Sequence, residues 1–299
     1  MCLSSLPINS AEWVGLCGLR LQLLVDALRD LLLKEPVLHA DETPVPMLAP
    51  GKKKTHRTYL WAYATTPYTE LKAVVYDFSE GRGGHHARDF LGEWRGKLVC
   101  DDYGGYRQSF AGVTEIGCMA HARCKFVDLH VTEKSQIAEQ AIDLIGQLYQ
   151  IEREVKSLTA EERQRLRDTR ARPIADTLYR WMLAHREKVP EGSAMAKAMD
   201  YSLKRWAALT RYLDDGRLPI DNNRIENLIR PRHRGAATGC SPAHCAAASI
   251  MSLIQSTKLN RHDPYAYLKD VMTRLPTQKN RAIDELLPHN WKPAIPDNA

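Results

Sequence analysis

From Ser10 to Lys34 apolar residues return every three or four positions, at Trp13, Leu16, Leu19, Leu23, Leu24, Ala27, Leu28 and Leu31. That period predicts an amphipathic helix with its stripe on a core. Ser10 suits its N-cap and Pro36 its end. The pattern then changes. VLHADETPVPML (Val37–Leu48) reads as a strand running into an irregular edge, and GKKKTHR as a polar, basic turn. TYLWAYATT (Thr58–Thr66) and ELKAVVYDFS (Glu70–Ser79) are rich in β-branched and aromatic residues around a Pro-containing turn, the pattern of an antiparallel hairpin. HHARDFLGEW (His85–Trp94) reads as a helix. GKLVCDDYGGY (Gly96–Tyr106) reads as a short strand stopping at two acids and two glycines. TEIGCMAHARCKFVDLH (Thr114–His130) begins as a strand and turns helical.

From Thr132 to Leu213 the expectation is helix throughout. Its charge run EREVKSLTAEERQRLRDTRAR is most simply a solvated face. LPIDNNRIENLIR opens another helix, with Asp221 as N-cap and Asn222 and Asn223 in the first turn. ASIMSLIQSTKLN and DPYAYLKDVMTRL read as helices, the second started by Asp263 and Pro264. Periodicity alone establishes a mixed α/β protein.

Composition narrows this only slightly. The 299 residues are 44% hydrophobic, enough to bury a core and too many for a disordered chain. A net charge of +6 is compatible with a polyanionic partner and with many proteins that have none. Seven cysteines without a CxxC pair suit a reducing compartment. No signal peptide and no membrane-length apolar run is evident, so the expectation is a cytoplasmic protein with no membrane partner.

The chemistry rests on three acids. Asp41 follows the first apolar strand run, Asp101 follows the fourth, and Glu226 lies on a later helix. Carboxylates at the ends of neighbouring strands can meet on one side of a sheet, and a packed helix can add a third. Such a set holds two Mg²⁺ ions about 3.5–4 Å apart for phosphoryl transfer, and hard cations favour these oxygen ligands. Taken singly, each acid has a plain reading as a turn, cap or surface residue.

HADETPV, LVCDDYGGY, GCMAHARCKF, LPIDNNRIENLIRP, SLIQSTKLN, DPYAYLKDVMTRL and IDELLPHNW, in this order, resemble the catalytic region of insertion sequence 66 family transposases. The resemblance runs from about Leu31 to Trp291 and continues more weakly upstream. It implies an RNase H-like mixed sheet core interrupted by a large helical insertion and followed by a helical C-terminal region. The element order suits that fold. The expected division is 1–36, an N-terminal helical segment; 37–131, the first part of the core; 132–215, the insertion; 216–260, the helix bearing the third acid and the helix after it; and 261–299, a C-terminal helical element.

The resemblance also implies a DDE triad. It falls on Asp41, Asp101 and Glu226 as catalytic and metal-binding residues, with two Mg²⁺ or Mn²⁺ ions and no small-molecule cofactor. The implied partner is DNA, at transposon ends and target, and the active form is expected to be a homo-oligomer. Cleavage of a strand at the element end and attack of the freed 3′-hydroxyl on target DNA are the implied reactions. Where the family has Asp-Gly-Tyr this chain has Asp101-Asp102-Tyr103, which leaves open which aspartate is the ligand.

His39 shares a strand face with Asp41, and His121 belongs to a CxxH element with Cys118; both are candidates to position DNA or a carboxylate, or are ordinary core histidines. Cys118 and His121 alone are too few for a structural zinc site. Asn222 and Asn223 are candidates to hold Glu226 or phosphate. Lys52, Lys53, Lys54, Arg224 and Arg230 are candidate contacts to the DNA backbone, against the alternative of solvated charges.

Two departures from the family qualify the expectation. Members usually carry a longer N-terminal region that reads the transposon ends. After Pro231 the segment Arg232 to about Ala247 lacks the family's words and any period, and is expected to be a compensated frameshift with damaged packing beside Glu226. On that reading Cys240, His244 and Cys245 carry no zinc chemistry. The rival functions are an RNase H-like nuclease without strand transfer, and a truncated, non-catalytic remnant that binds DNA or a full-length transposase.

Overall fold

Strand β1 (Val37–Leu48) is the axis of the fold in the computed structural model, which describes residues 10–48, 55–107, 112–229, 237–238 and 241–293. It pairs antiparallel with β2 (Thr55–Thr65), which pairs antiparallel with β3 (Val74–Ser79). On its other side β1 runs parallel to β4 (Lys97–Val99), and β4 parallel to β5 (Thr114–Ile116). The order is β3-β2-β1-β4-β5, and β6 (Ala237–Thr238) adds to the far end of β1. The hairpin expectation holds, but β3 begins at Val74, because the residues before it are spent on the turn around Pro67.

Asp41 is not at a strand end as expected. β1 continues past it to Leu48, still paired with β2, while its pairing with β4 stops at His39. The bare edge this leaves accommodates Pro44 and Pro46, which have no N–H to donate.

Alternation along the strands divides the core. Leu38, Ala40, Trp61, Tyr63, Val75 and Leu98 face one side. They pack against helix α1 (Ser10–Leu32), helix α2 (Gly84–Leu91) and residues near the C-terminus such as Tyr267 and Trp291. The opposite face carries two cores. Val37, Val99 and Ile116 belong to one with the helices that follow β5, and Leu60, Ala62 and Ala64 belong to another with Ile225 and Ile229. His39 and Asp41 have the same strand parity as Val37 and so lie between these two cores.

The buried stripe of α1 is rotated from the expected one. Leu21, Leu24, Val25, Leu28 and Leu32 are buried, whereas Leu16, Leu19 and Leu23 are exposed. Leucines surround much of this helix, so the tertiary partner rather than the period sets the inward face.

After the short helix α3 (Gly104–Arg107) and β5, helix α4 (Met119–Glu133) starts a block of helices. It continues through α5 (Gln136–Glu154), α6 (Ala160–Leu166), a π turn at Arg167–Ala171, α7 (Arg172–Arg186), α8 (Ala194–Lys204) and α9 (Trp206–Thr210). Ser135, Thr159 and Ser193 cap α5, α6 and α8 through side-chain oxygens, and Thr159 with Glu162 forms a reciprocal capping box.

The charge run in this block is not wholly a solvated face. Glu152, Arg163 and Arg167 are buried. Arg167 donates to both Glu152 oxygens at 2.8 and 2.6 Å and to the Tyr212 carbonyl at 2.7 Å. Arg163 donates to the carbonyls of Val155, Leu158 and Gly216. A side chain at Gly216 would collide with the Ala160 backbone, so the return segment runs flush against α6. These bonds tie the block to the chain that leads into helix α10 (Asn223–Ile229).

Helix α11 spans Ser241–Leu259, so the aperiodic stretch enters a helix seven residues before the apolar pattern resumes at Ala248. Small residues allow this: a Cβ on Gly18 would sit 2.4 Å from the Ala246 Cα, so α1 and α11 cross closely there. The same helix closes the outer edge of β3. Ser252 Oγ accepts from Tyr76 N at 2.9 Å, and Ser256 Oγ both accepts from Val74 N and donates to Val74 O at 3.0 Å. Polar groups that would template strand addition are thereby satisfied within the fold. Helix α12 (Pro264–Arg274) starts as expected, with Asp263 accepting from Ala266 N. Among the described residues no helix is long and apolar enough to cross a membrane.

Candidate active site

Register brings the first two acids together. His39 lies beside Val99 in the parallel pair, and Asp41 and Asp101 each follow two residues later. The parallel pairing ends at His39 and Val99, and the Asp101 charge still reaches Asp41. Glu226 arrives from α10, which packs on β1 and β2. Burial pushes the Asp41 carboxyl up to about 8, and the negative charges of Glu42, Asp101 and Glu226 add to the shift. Asp41 Oδ1 accepts from the Glu42 amide at 2.9 Å.

Asn222 fixes the entry of α10. Its buried side chain donates from Nδ2 to the Ala40 carbonyl at 2.9 Å, so Oδ1 is left to accept from His39 Nδ1 at 2.7 Å. That assigns the hydrogen of neutral His39 to Nδ1 and makes Nε2 an acceptor. Burial lowers the His39 pKa to about 4, so the ring stays neutral. The Asn222 amide donates to Cys118 Sγ at 3.2 Å. One asparagine thus joins β1, α10 and the start of α4.

The cap differs from the expected one. Asn222, whose carbonyl accepts from Ile225 and Glu226, is the residue before the helix, and Asp221 lies one step further out. Asp221 accepts from the Asn223 amide at 3.1 Å, from Asn223 Nδ2 at 2.8 Å and from the Tyr149 hydroxyl at 2.9 Å. Asn223 is exposed.

Asp101 and Asp102 part company. Asp101 Oδ1 accepts from the Tyr103 amide at 3.0 Å. Asp102 is paired with Arg205, a buried guanidinium from the helical block that also donates to Glu115 at 2.5 Å. His121, in the first turn of α4, holds Nε2 3.9 Å from Glu226 Oε1. Arg224 donates from Nε to the Thr65 carbonyl at 2.9 Å and is half-buried, which anchors α10 to the end of β2. Lys52, Lys53, Lys54 and Arg230 lie outside the described residues, as do Cys240 and most of the stretch from Arg232 to Ala247 that precedes α11.

The sequence reading missed Glu42. It lies on the other face of β1, its side chain 1% exposed. Its Oε1 accepts from Arg82 at 2.9 and 2.6 Å, and its Oε2 accepts from the Tyr106 hydroxyl at 2.9 Å. Burial and the Asp101 charge raise its pKa to about 7 against these donors. Arg82 also stacks 4.1 Å above the Tyr103 ring. A glutamate adjoining Asp41 in HADET was the available signal; Arg82, in a glycine-rich turn, gave none.

Acids from the end of β4 and from α10 act on the mostly buried Asp41 of β1, and the charged groups that act most on it are all negative. The oxygen donors of such a set are of the kind that hard divalent cations favour. Residues 9–237 match the transposase IS66 family and residues 252–289 the IS66 C-terminal element. An uncharacterized protein of Sinorhizobium fredii, y4qI, is 35% identical over 304 residues, covering 95% of this chain and 56% of that protein. Another from the same organism, y4jD, is 34% identical over 301 residues, covering 93% and 59%. The chain thus spans less than two thirds of the length of these relatives. With the family match covering most of its residues, the chain belongs to the IS66 transposase family.

Proposed function

We propose that this chain is the catalytic region of a DDE-type DNA transposase with an RNase H-like core, in which Asp41, Asp101 and Glu226 hold two Mg²⁺ or Mn²⁺ ions. The observation that carries this is the convergence on the buried Asp41 of β1 of charges from Asp101, after β4, and Glu226, on α10. The strand order β3-β2-β1-β4-β5, antiparallel on the β2 side and parallel on the β4 side, supports the fold assignment.

When bound, the ions activate an attacking oxygen and stabilise the leaving one. The chain's own residues prepare that chemistry. Asn222 clamps α10 to β1, so Glu226 faces the sheet without a search for its partners. Arg205 takes Asp102 and leaves Asp101 as the ligand. Glu42, through Arg82 and Tyr106, supports the back of the strand that bears Asp41. Arg82, exposed beside Asp101 and stacked on Tyr103, is placed to meet a DNA phosphate. The partners on this reading are transposon ends and target DNA, engaged by a homo-oligomer.

The test supplies DNA carrying the sequences that flank the gene, with Mg²⁺ or Mn²⁺. Metal-dependent nicking, and joining of a pre-cut 3′ end to target DNA, are expected, with both lost in Asp41→Asn. Nicking without joining replaces the proposal with a nuclease. DNA binding without any nicking replaces it with a non-catalytic remnant.

A further inference from the structure

Cys118, His121 and Glu226 each direct one ligand atom to a common place, and these atoms lie within 4.8 Å of one another. The sequence offers only the first two as neighbours; α10 brings the third from more than a hundred residues away. Cys118 is the residue before α4 and is buried, and its Sγ accepts from the Asn222 amide at 3.2 Å. His121 is one turn further on, its side chain 41% exposed, so the group opens to solvent on the imidazole side. His121 Nδ1 is itself buried with no hydrogen-bond partner.

We propose that these three side chains form a binding site for a borderline-soft divalent cation, Zn²⁺ or Co²⁺, distinct in chemistry from the carboxylate site beside it. One sulfur, one imidazole nitrogen and one carboxylate oxygen suit such an ion and disfavour Mg²⁺. Three protein ligands with an open fourth position is the arrangement of a reactive rather than a structural zinc site. Bonds of about 2.0–2.3 Å place tetrahedral ligands about 3.3–3.8 Å apart, so the trio closes by roughly an ångström on binding. The metal–sulfur bond replaces the S–H bond, and the proton leaves to solvent. Because the metal takes the thiolate, binding releases a proton. Occupancy draws on Glu226 and thereby opposes Mg²⁺-dependent chemistry. The site shares that one residue with the proposed catalytic set but does not depend on it.

Titration of the whole chain with Co²⁺ tests this through the near-ultraviolet absorption of a cobalt–thiolate bond. One equivalent is expected to produce the band in the wild type and in Asp41→Asn. Cys118→Ser keeps an acceptor for the Asn222 amide and loses the band. His121→Ala, at a partly exposed position, weakens Co²⁺ binding at least about tenfold. No band in the wild type, an undiminished band in Cys118→Ser, or unchanged affinity in His121→Ala overturns the proposal. Retention of the band in Asp41→Asn separates this site from the catalytic one, whose failure is read independently from unaltered DNA cleavage in that variant.

Discussion

Charge is buried in two regions of this protein, under opposite conditions. In the helical block Arg167 meets both oxygens of Glu152 and two backbone carbonyls, and Arg163 is surrounded by carbonyls. On the sheet Asp41 has Glu42, Asp101 and Glu226 as its charged company. The first region matches each buried charge with an opposite charge or with carbonyls, whereas at Asp41 the charges that act most are of its own sign. A satisfied buried ion fixes structure, whereas a cluster of like charges is costly to keep and marks a place where a ligand supplies the balance. The two are connected, because Arg163 and Arg167 bond the segment at Tyr212, Asp215 and Gly216 that delivers α10 and Glu226.

The largest effect expected from breaking this contrast lies on the satisfied side. Arg167→Leu strands Glu152 in the interior and should lower unfolding free energy by about 3–5 kcal/mol, measured by denaturant titration; a loss under 1 kcal/mol would show that the pair is dispensable. On the side of like charges, Asp41→Asn, Asp101→Asn and Glu226→Gln should each cut metal-dependent DNA cleavage by on the order of 100-fold or more. These variants should remain folded by circular dichroism, since each is close to isosteric and lowers the repulsion at Asp41.

The third effect concerns pH. Asp41 and Glu42 have folded-state pKa values raised to about 8 and about 7. Their contribution is present at pH below the unfolded carboxyl range near 4 and is lost as pH rises through 7 and 8. Metal-free protein should therefore lose stability between about pH 4 and pH 8 through these groups, by on the order of a few kcal/mol. Asp41→Asn should flatten that slope and exceed the wild type in melting temperature at pH 8; a parallel slope in the variant would remove Asp41 as its source. The smallest effect separates the neighbouring aspartates: Asp102→Asn should alter cleavage by less than about tenfold, because Asp102 faces Arg205.

Much of this contrast was legible in the sequence, and for particular reasons. The strands were visible because β-branched and aromatic runs such as Thr58–Thr66 pack in few other ways. The three acids could be singled out as candidates because separate motifs stood in a family's order. The rest depended on partners far along the chain. Arg167 looks like any arginine of a charged helix until Glu152 and Tyr212 reach it. Asn222 looks like a cap residue until His39 and Ala40 draw its side chain inward. Leu19 and Leu21 differ in burial although both suit an apolar stripe, because α11 lies on only one side of α1. Ser241 to Ala247 shows no apolar period, yet the small Ala246 suits the close approach of α11 to Gly18.

Direct measurement of Mn²⁺ binding, by calorimetry or the loss of free-ion paramagnetic resonance signal, bears most closely on whether the acids form a metal site. Asp41→Asn, Asp101→Asn and Glu226→Gln should each weaken Mn²⁺ binding by about tenfold or more, with Asp102→Asn close to the wild type. Equal Mn²⁺ affinity across the wild type and the three triad variants would contradict a shared carboxylate site.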